Sequence, residues 1–475
     1  MNRKLTSSPA HHSRNARLLL VFSAAAIAAV CLYYGITAYA RNPLHVYEGL
    51  LILILATLPA LKWAKDGGRH LPLFEVLMLT TANTYALPIL TGQPQLRLFS
   101  SDTLTSAAFA VIVYQLVAIG TYWFVRGAAG RSAFFTREVI SHNVNRTIGY
   151  GLCIATIYTM IATFSDTIPG ELVGIFRAVF YGIGLVAVFV LARRWGAGEL
   201  NPSDRAILVV NIAIQAAVEF STLFLVSGLS MLVLALVGYV SGSRRIPVIL
   251  AAFLLGGAAL LHNGKGAMRD RYWDVDGTRH QPRLTELPVF FSDWLQAGLS
   301  SEKQSEAEES IANKLVERTS LFHILCLVVA RTPESLPYLA GETYGQIPAQ
   351  FVPRIFWPEK PLSHVSTSTL SVYYGLQREE DTEKTTIGFG MIAEAYANFG
   401  LPGIAILACC LGAFYKKIHT LAIDSPLLSN AGLVQIVLMA WSFQTEFPLS
   451  LWLSSMTQAL IAVLGLPFVI RMLAG

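Results

Sequence analysis

The stretch AILVVNIAIQAAVEFSTLFLVSGLSMLVLALVGYV, residues 206–240, decides the fold. It reads either as one long apolar helix or as two short ones, and each choice orients everything after it differently. Two helices, 206–219 and 222–240, would turn near Glu219-Phe220-Ser221-Thr222. Each would be about 21–28 Å long at 1.5 Å per residue, short but compatible with a hydrocarbon core about 30 Å thick. A single helix would put the basic segment SGSRR (241–245) on the side opposite the other basic loops. Basic loops gather on the cytoplasmic side of a membrane, so the pattern favours two. Glu219 then sits at the outer interface, as a functional ionisable group or a solvated turn residue.

Working outward, the same apolar texture recurs. The chain is 54% hydrophobic and only 14% charged, well below the roughly 25% charged residues of a soluble protein. Candidate spans lie at 18–39, 44–61, 72–91, 104–125, 147–165, 170–192, 206–219, 222–240, 246–262, 401–415, 428–446 and 449–470. The expectation is an all-α polytopic membrane protein of about twelve transmembrane helices. The basic amino terminus continues into an apolar run too long for a signal peptide, which suggests a retained first helix. KWAKDGGRH (62–70), the 126–146 loop, RRWGAGELNPSDR (193–205), SGSRR and Lys416-Lys417 are basic and alternate with loops of few cations. Both termini are therefore expected in the cytoplasm.

One connection is long. Residues 263–400 separate spans nine and ten and hold 13 Lys/Arg and 18 Asp/Glu. Parity places them outside, and long loops cross largely regardless of charge. The expected organisation is a membrane domain over 1–262, a helical periplasmic loop domain over 263–400 and a second membrane domain over 401–475. The net charge of +5 is scattered among loops, so no nucleic-acid partner is expected. The cysteines show no CxxC or Cys/His spacing, and no metal site is expected.

The outer loop opens with Lys265, Arg269 and Arg271 directly after a span. Cations there suit the diphosphate of a lipid-linked substrate, or form a collar for membrane lipid headgroups. In 301–333, Ile311, Leu315, Arg318 and Phe322 share one helical face. Arg318 thus interrupts an apolar stripe and needs a carboxylate or a phosphate as partner. In VPRIFWPEKP (352–361), three prolines impose a stiff, non-helical path. A turn over Trp357-Pro358-Glu359-Lys360 would set an aromatic face for sugar beside a cation for phosphate, unless the segment merely packs. A short helix over about 389–399 would end at Gly400, with Pro402 starting the next. Glu394 and Asn398, four apart, point the same way. They supply a general base at the mouth of span ten, or a helix-packing hydrogen bond.

The strings RTSLF (318–322), GETYGQIPAQFVPRIFWPEKP (341–361) and IGFGMIAEAYANFG (387–400), in that order, resemble the oligosaccharide repeat-unit polymerases, the Wzy-type O-antigen and exopolysaccharide polymerases. The likeness covers about 318–403. It implies a GT-C-like inner-membrane glycosyltransferase using undecaprenyl-diphosphate-linked oligosaccharide at the periplasmic face, with no cofactor and no metal. Chain-length regulators and flippases are the partners implied. In that chemistry, cations meet charge developing on the departing lipid diphosphate. Arg269, Arg318, Arg354 and Lys360 are the candidates, with Lys265 and Arg271 in reserve. Glu394 is the first candidate base, followed by His323 or His364, while Trp357 and Tyr396 would hold sugar. DVD (274–276) formally resembles a metal-binding Asp-x-Asp, but Arg271 and Arg279 flank it. The competing readings are an O-antigen ligase, a flippase for the lipid-linked unit, and a major-facilitator-like transporter. The last needs two matching six-span halves, and none are visible.

Overall fold

Residues 206–240 fold as two helices. In the computed structural model the main helices are, in chain order, α1 (Pro9–Thr37), α2 (Pro43–Lys65), α3 (Leu73–Leu90), α4 (Ser101–Phe124), α5 (Val144–Phe164), α6 (Gly170–Gly196), α7 (Pro202–Ser221), α8 (Leu225–Ser243), α9 (Val248–Tyr272), α10 (Leu287–Gln304), α11 (Phe322–Arg331), α12 (Val365–Tyr373), α13 (Gly390–Ala422), α14 (Asn430–Ser442) and α15 (Leu449–Ala474). The structure describes residues 9–38, 42–68, 70–127, 133–136, 144–165, 167–168, 170–223, 225–243, 247–272, 280–304, 319–352, 357, 359–361, 364–382, 386–423 and 425–474. Among these residues there is no β-strand element.

The α7–α8 break falls where the polar quartet predicts. Asn201 caps α7 through Asp204 N–H at 2.8 Å, and Pro202 opens its first turn. At the other end the Ser221 and Thr222 hydroxyls donate to the carbonyls of Val218 and Glu219, each at 2.7 Å. Leu223 then takes a left-handed backbone (φ 59°), which ends the helix.

Among the described residues seven helices are long and apolar enough to cross a membrane: α2, α3, α4, α9 and α13, the 145–164 part of α5 and the 179–196 part of α6. The chain thus has the build of a helical membrane protein. The other expected spans fall on α1, α7, α8, α14 and α15. In four of these the apolar stretch is shorter (23–37, 228–243, 430–442 and 449–465), and α7 carries Asp204, Arg205 and Glu219.

Small residues set the closest helix crossings. Gly238 and Gly242 of α8, four apart, lie against the backbone of α6. A Cβ at Gly238 would stand 2.7 Å from Phe189 O, and one at Gly242 would collide with Arg193 O. This is the small-xxx-small packing of membrane helices, in which contact between backbones replaces a hydrophobic driving force. Gly412 likewise faces α4, where an added Cβ would stand 2.6 Å from Ala118 O. Gly264 and Gly298 do the same for α9 and α10. There Trp294 is fully buried and donates its indole N–H to Leu261 O at 2.6 Å.

Two helices are broken in ways that recruit the loop. Pro88 in α3 has no N–H for the carbonyl four residues back, Thr84 O, and the helix widens to a π-turn over Ala82–Ala86. Leu321 N–H, from RTSLF, fills that carbonyl at 3.0 Å. In α13, Gly400 has φ 63° and ψ −149°, splitting the element into 390–399 and a second part led by Pro402. Leu339 and Ala340 donate their N–H groups to Ala397 O (3.0 Å) and Asn398 O (3.2 Å), the carbonyls this break exposes.

Replacing Gly242 by Val inserts a branched side chain into the α6–α8 backbone contact. Overpacking of this kind costs about 1–3 kcal/mol. A lowered melting temperature for the detergent-purified variant is expected; an unchanged one would show that the helices do not cross there.

Candidate functional site

The buried polar centre of the loop region is built around Glu394. Its side chain is fully buried. Oε2 accepts the Leu449 N–H at 2.6 Å, so the carboxyl ties α13 to the first turn of α15. Oε1 is buried without a hydrogen-bond partner. The Thr343 hydroxyl stands beside the carboxyl. Burial raises the Tyr344 phenol well above its usual range, and the nearby Glu394 carboxyl adds to that shift. A neutral tyrosine is the result.

Asn398 points the same way, one turn on, and is fully engaged. Its Oδ1 accepts Gly341 N–H at 3.0 Å. Its Nδ2 donates to Thr343 Oγ1 and to Glu394 O, each at 2.8 Å. Gly341 makes this docking possible through a left-handed backbone (φ 96°). The packing alternative foreseen for Asn398 is therefore its observed role. Ser366 of α12 extends the network, donating to Thr343 O at 3.2 Å and pairing with Ser450 Oγ at 2.7 Å. Sequence reading did not single out Thr343, Ser366 or Ser450. Thr343 lies within GETYG, where it could have been noticed; isolated serines carry no pattern.

The basic entry to the loop is helical, because α9 runs on to Tyr272. Its three cations face different partners. Lys265 acts on Glu446: desolvation raises that carboxyl's pKa and the ammonium opposes the shift. Glu446 O in turn accepts Gly390 N–H at 3.0 Å, at the start of the Glu394 helix. Arg269 reaches the α7–α8 turn, with Nη2 3.5 Å from Leu223 O. Arg271 is exposed and pairs with Asp293 at 2.6 Å. The structure therefore brings only Lys265 toward the Glu394 centre. Lys265 and Arg269, four apart on α9, share one helix face.

The turn over 357–360 forms, with Lys360 N–H donating to Trp357 O at 3.2 Å. Trp357 is 43% exposed, available to a ligand. Lys360 is a correction to the expected aromatic-plus-cation face. Its side chain is buried, and Nζ donates to Val352 O at 2.8 Å and Gln350 O at 3.3 Å. The ammonium caps the end of the Ile347–Phe351 helix, where carbonyls lack helical donors. Arg318 and Arg354 lie outside the described residues, as do Ile311 and Leu315. His323 is half-buried, its Nδ1 3.3 Å from Ser320 Oγ.

Tyr396 lies two residues from Glu394 and so on a different face of the helix. With Leu401 it borders an open groove of about 340 Å³, whose other walls include Glu48 of α2 and Thr105, Ser106 and Phe109 of α4.

Fold and site together define a helical membrane protein with a buried carboxyl centre where residues 339–344 meet α13 and the start of α15. A protein-family model described as Domain of unknown function (DUF8712) matches residues 203–425, from α7 through α13 and the loop between. No curated protein and no solved structure matches the chain.

Asn398→Ala leaves Gly341 N–H and Thr343 without their buried partner and is expected to destabilise by roughly 2–3 kcal/mol, at about 1 kcal/mol per lost bond plus desolvation. Glu394→Gln keeps an oxygen for Leu449 N–H and should fold normally. Thermal unfolding of both variants checks this; an unaffected Asn398→Ala protein would contradict the network.

Proposed function

We propose that the chain is a polysaccharide polymerase that joins undecaprenyl-diphosphate-linked repeat units at the periplasmic face of a bacterial inner membrane. In this reading it has twelve spans, both termini are cytoplasmic, and residues 263–400 face the periplasm. The reaction breaks the anomeric C–O bond to the lipid diphosphate and forms one to a hydroxyl of the incoming unit. The hydroxyl proton passes to a base, and cations meet the charge on the departing diphosphate.

The observation that carries the proposal is the setting of Glu394. Two of the polymerase-like strings supply Glu394, Asn398, Thr343 and Tyr344 to one buried cluster. Within it Oε1 is held without a partner. A buried carboxyl anchored through Oε2, with Oε1 facing the Thr343 side, suits a general base. Lys265 brings positive charge to the adjoining Glu446, and the polymerase resemblance assigns Arg318 and Arg354, which lie outside the described residues, to the leaving group. Trp357 is half-exposed and Tyr396, on another face of its helix, is partly buried; each offers a ring edge or face on which sugar can stack.

The test is the carrier-bound glycan of a deletion strain complemented with Glu394→Gln. Single repeat units on the carrier, with polymer reduced at least a hundredfold, are expected; Arg354→Ala and Arg318→Ala should act alike. Polymer of normal length in the Glu394→Gln strain would overturn the assignment. Accumulated polymer on the carrier would identify a ligase instead.

A further inference from the structure

The geometry points to a second chemical centre, a Ser101–His45–Glu48 relay equipped for acyl transfer from a carboxylic ester. His45 Nδ1 lies 2.9 Å from Glu48 Oε2, and His45 Nε2 lies 3.1 Å from Ser101 Oγ. This is the order of contacts in a nucleophilic serine triad, with acid on one ring nitrogen and hydroxyl on the other. A carboxylate only accepts hydrogen bonds, so Nδ1 carries the proton and Nε2 is left to accept from the serine. The His45 ring is buried at 3% exposure and the Glu48 side chain is 12% exposed, which fixes the pair, while Ser101 remains partly open.

Local sequence explains why Ser101 is available. Two serines start α4, Ser100 as N-cap and Ser101 as first helical residue, and Ser100 does the capping: its Oγ accepts Thr103 N–H at 3.2 Å. Ser101 is released from that duty and faces His45 from another helix. Its place in the first turn also sets it among N–H groups that have no acceptor within the helix, where negative charge is favoured. Asp102 N–H is the nearest candidate to meet an oxyanion.

A substrate site adjoins the relay. The groove of about 340 Å³ is bordered by Glu48 itself, by Thr105 and Ser106 one turn beyond Ser101, by the half-exposed Phe109 and by Tyr396 and Leu401 of α13. Such a mixed lining takes an amphiphilic ester, with the acyl chain on the apolar wall and the carbonyl toward Ser101. In the reaction Ser101 passes its proton to His45 Nε2 as Oγ bonds to the carbonyl carbon. The ester C–O bond then breaks, and the alcohol oxygen leaves with the proton from Nε2. Water repeats the sequence on the acyl-serine, releasing a carboxylic acid and restoring the hydroxyl. This activity has its own nucleophile and proton path and shares only the Tyr396 wall with the glycosyl chemistry proposed around Glu394.

The test is labelling of the detergent-purified full chain with a fluorophosphonate, alongside hydrolysis of p-nitrophenyl butyrate and octanoate. A covalent adduct on Ser101 by peptide mass spectrometry is expected. Label and hydrolysis should fall at least a hundredfold in Ser101→Ala, and label at least tenfold in His45→Gln, with both variants still unfolding cooperatively on heating. Faster octanoate turnover than butyrate would place the acyl chain in the groove. A folded wild-type chain with no adduct on Ser101 overturns the inference, as does a His45→Gln chain labelled at the wild-type rate, since a purely structural clasp between α2 and α4 would give either result.

Discussion

Backbone carbonyls left without helical donors hold residues 321 and 339–340 onto the bundle. Pro88 cannot serve Thr84 O, and the left-handed Gly400 leaves Ala397 O and Asn398 O exposed at a helix end. Buried carbonyls without partners are costly. Leu321, Leu339 and Ala340 supply the three missing N–H groups. These residues are thereby docked at fixed points on α3 and α13, and the neighbouring Phe322, Leu325 and Leu370 join the main core.

The chemistry of the centre follows from that docking. Once residues 339–341 are laced to the end of the 390–399 helix, Thr343 and Tyr344 fall over Glu394, and Gly341 N–H reaches Asn398. The Leu449 N–H approaches from the opposite side, from a first helical turn whose donors need acceptors. Burying a carboxyl is costly unless its oxygens are satisfied. Here one oxygen is satisfied and one is not, and an unsatisfied buried atom is where substrate chemistry has something to gain.

Features governed by neighbouring residues were legible in the sequence. The break at Glu219–Thr222, the Gly400-x-Pro402 junction and the turn at Trp357–Lys360 each rest on residues that dictate local backbone, and each is present. Glu394 and Asn398 share a face because helical geometry requires it. What tertiary contacts decide was not legible. NGKGAMRDRY (263–272) reads as loop from its charges and glycines, yet continues α9 because Gly264 and Gly298 let α10 pack on it. Lys360 turns inward because the Ile347–Phe351 helix offers carbonyls, which nothing in its own string announces. His45, Glu48 and Ser101 come from helices 56 residues apart in sequence, and so do not form a motif.

The account stands on the convergence of α12, α13 and the start of α15 around one buried carboxyl. The most direct measurement is disulfide formation between Ser366→Cys and Ser450→Cys in a chain whose five native cysteines are replaced by serine or alanine, because the two hydroxyls lie 2.7 Å apart. Mild oxidation should join them nearly completely, so that fragments cut between positions 366 and 450 stay linked until reduced. Two thiols that alkylate independently, with no linked fragment, would contradict the convergence and the base assigned to Glu394.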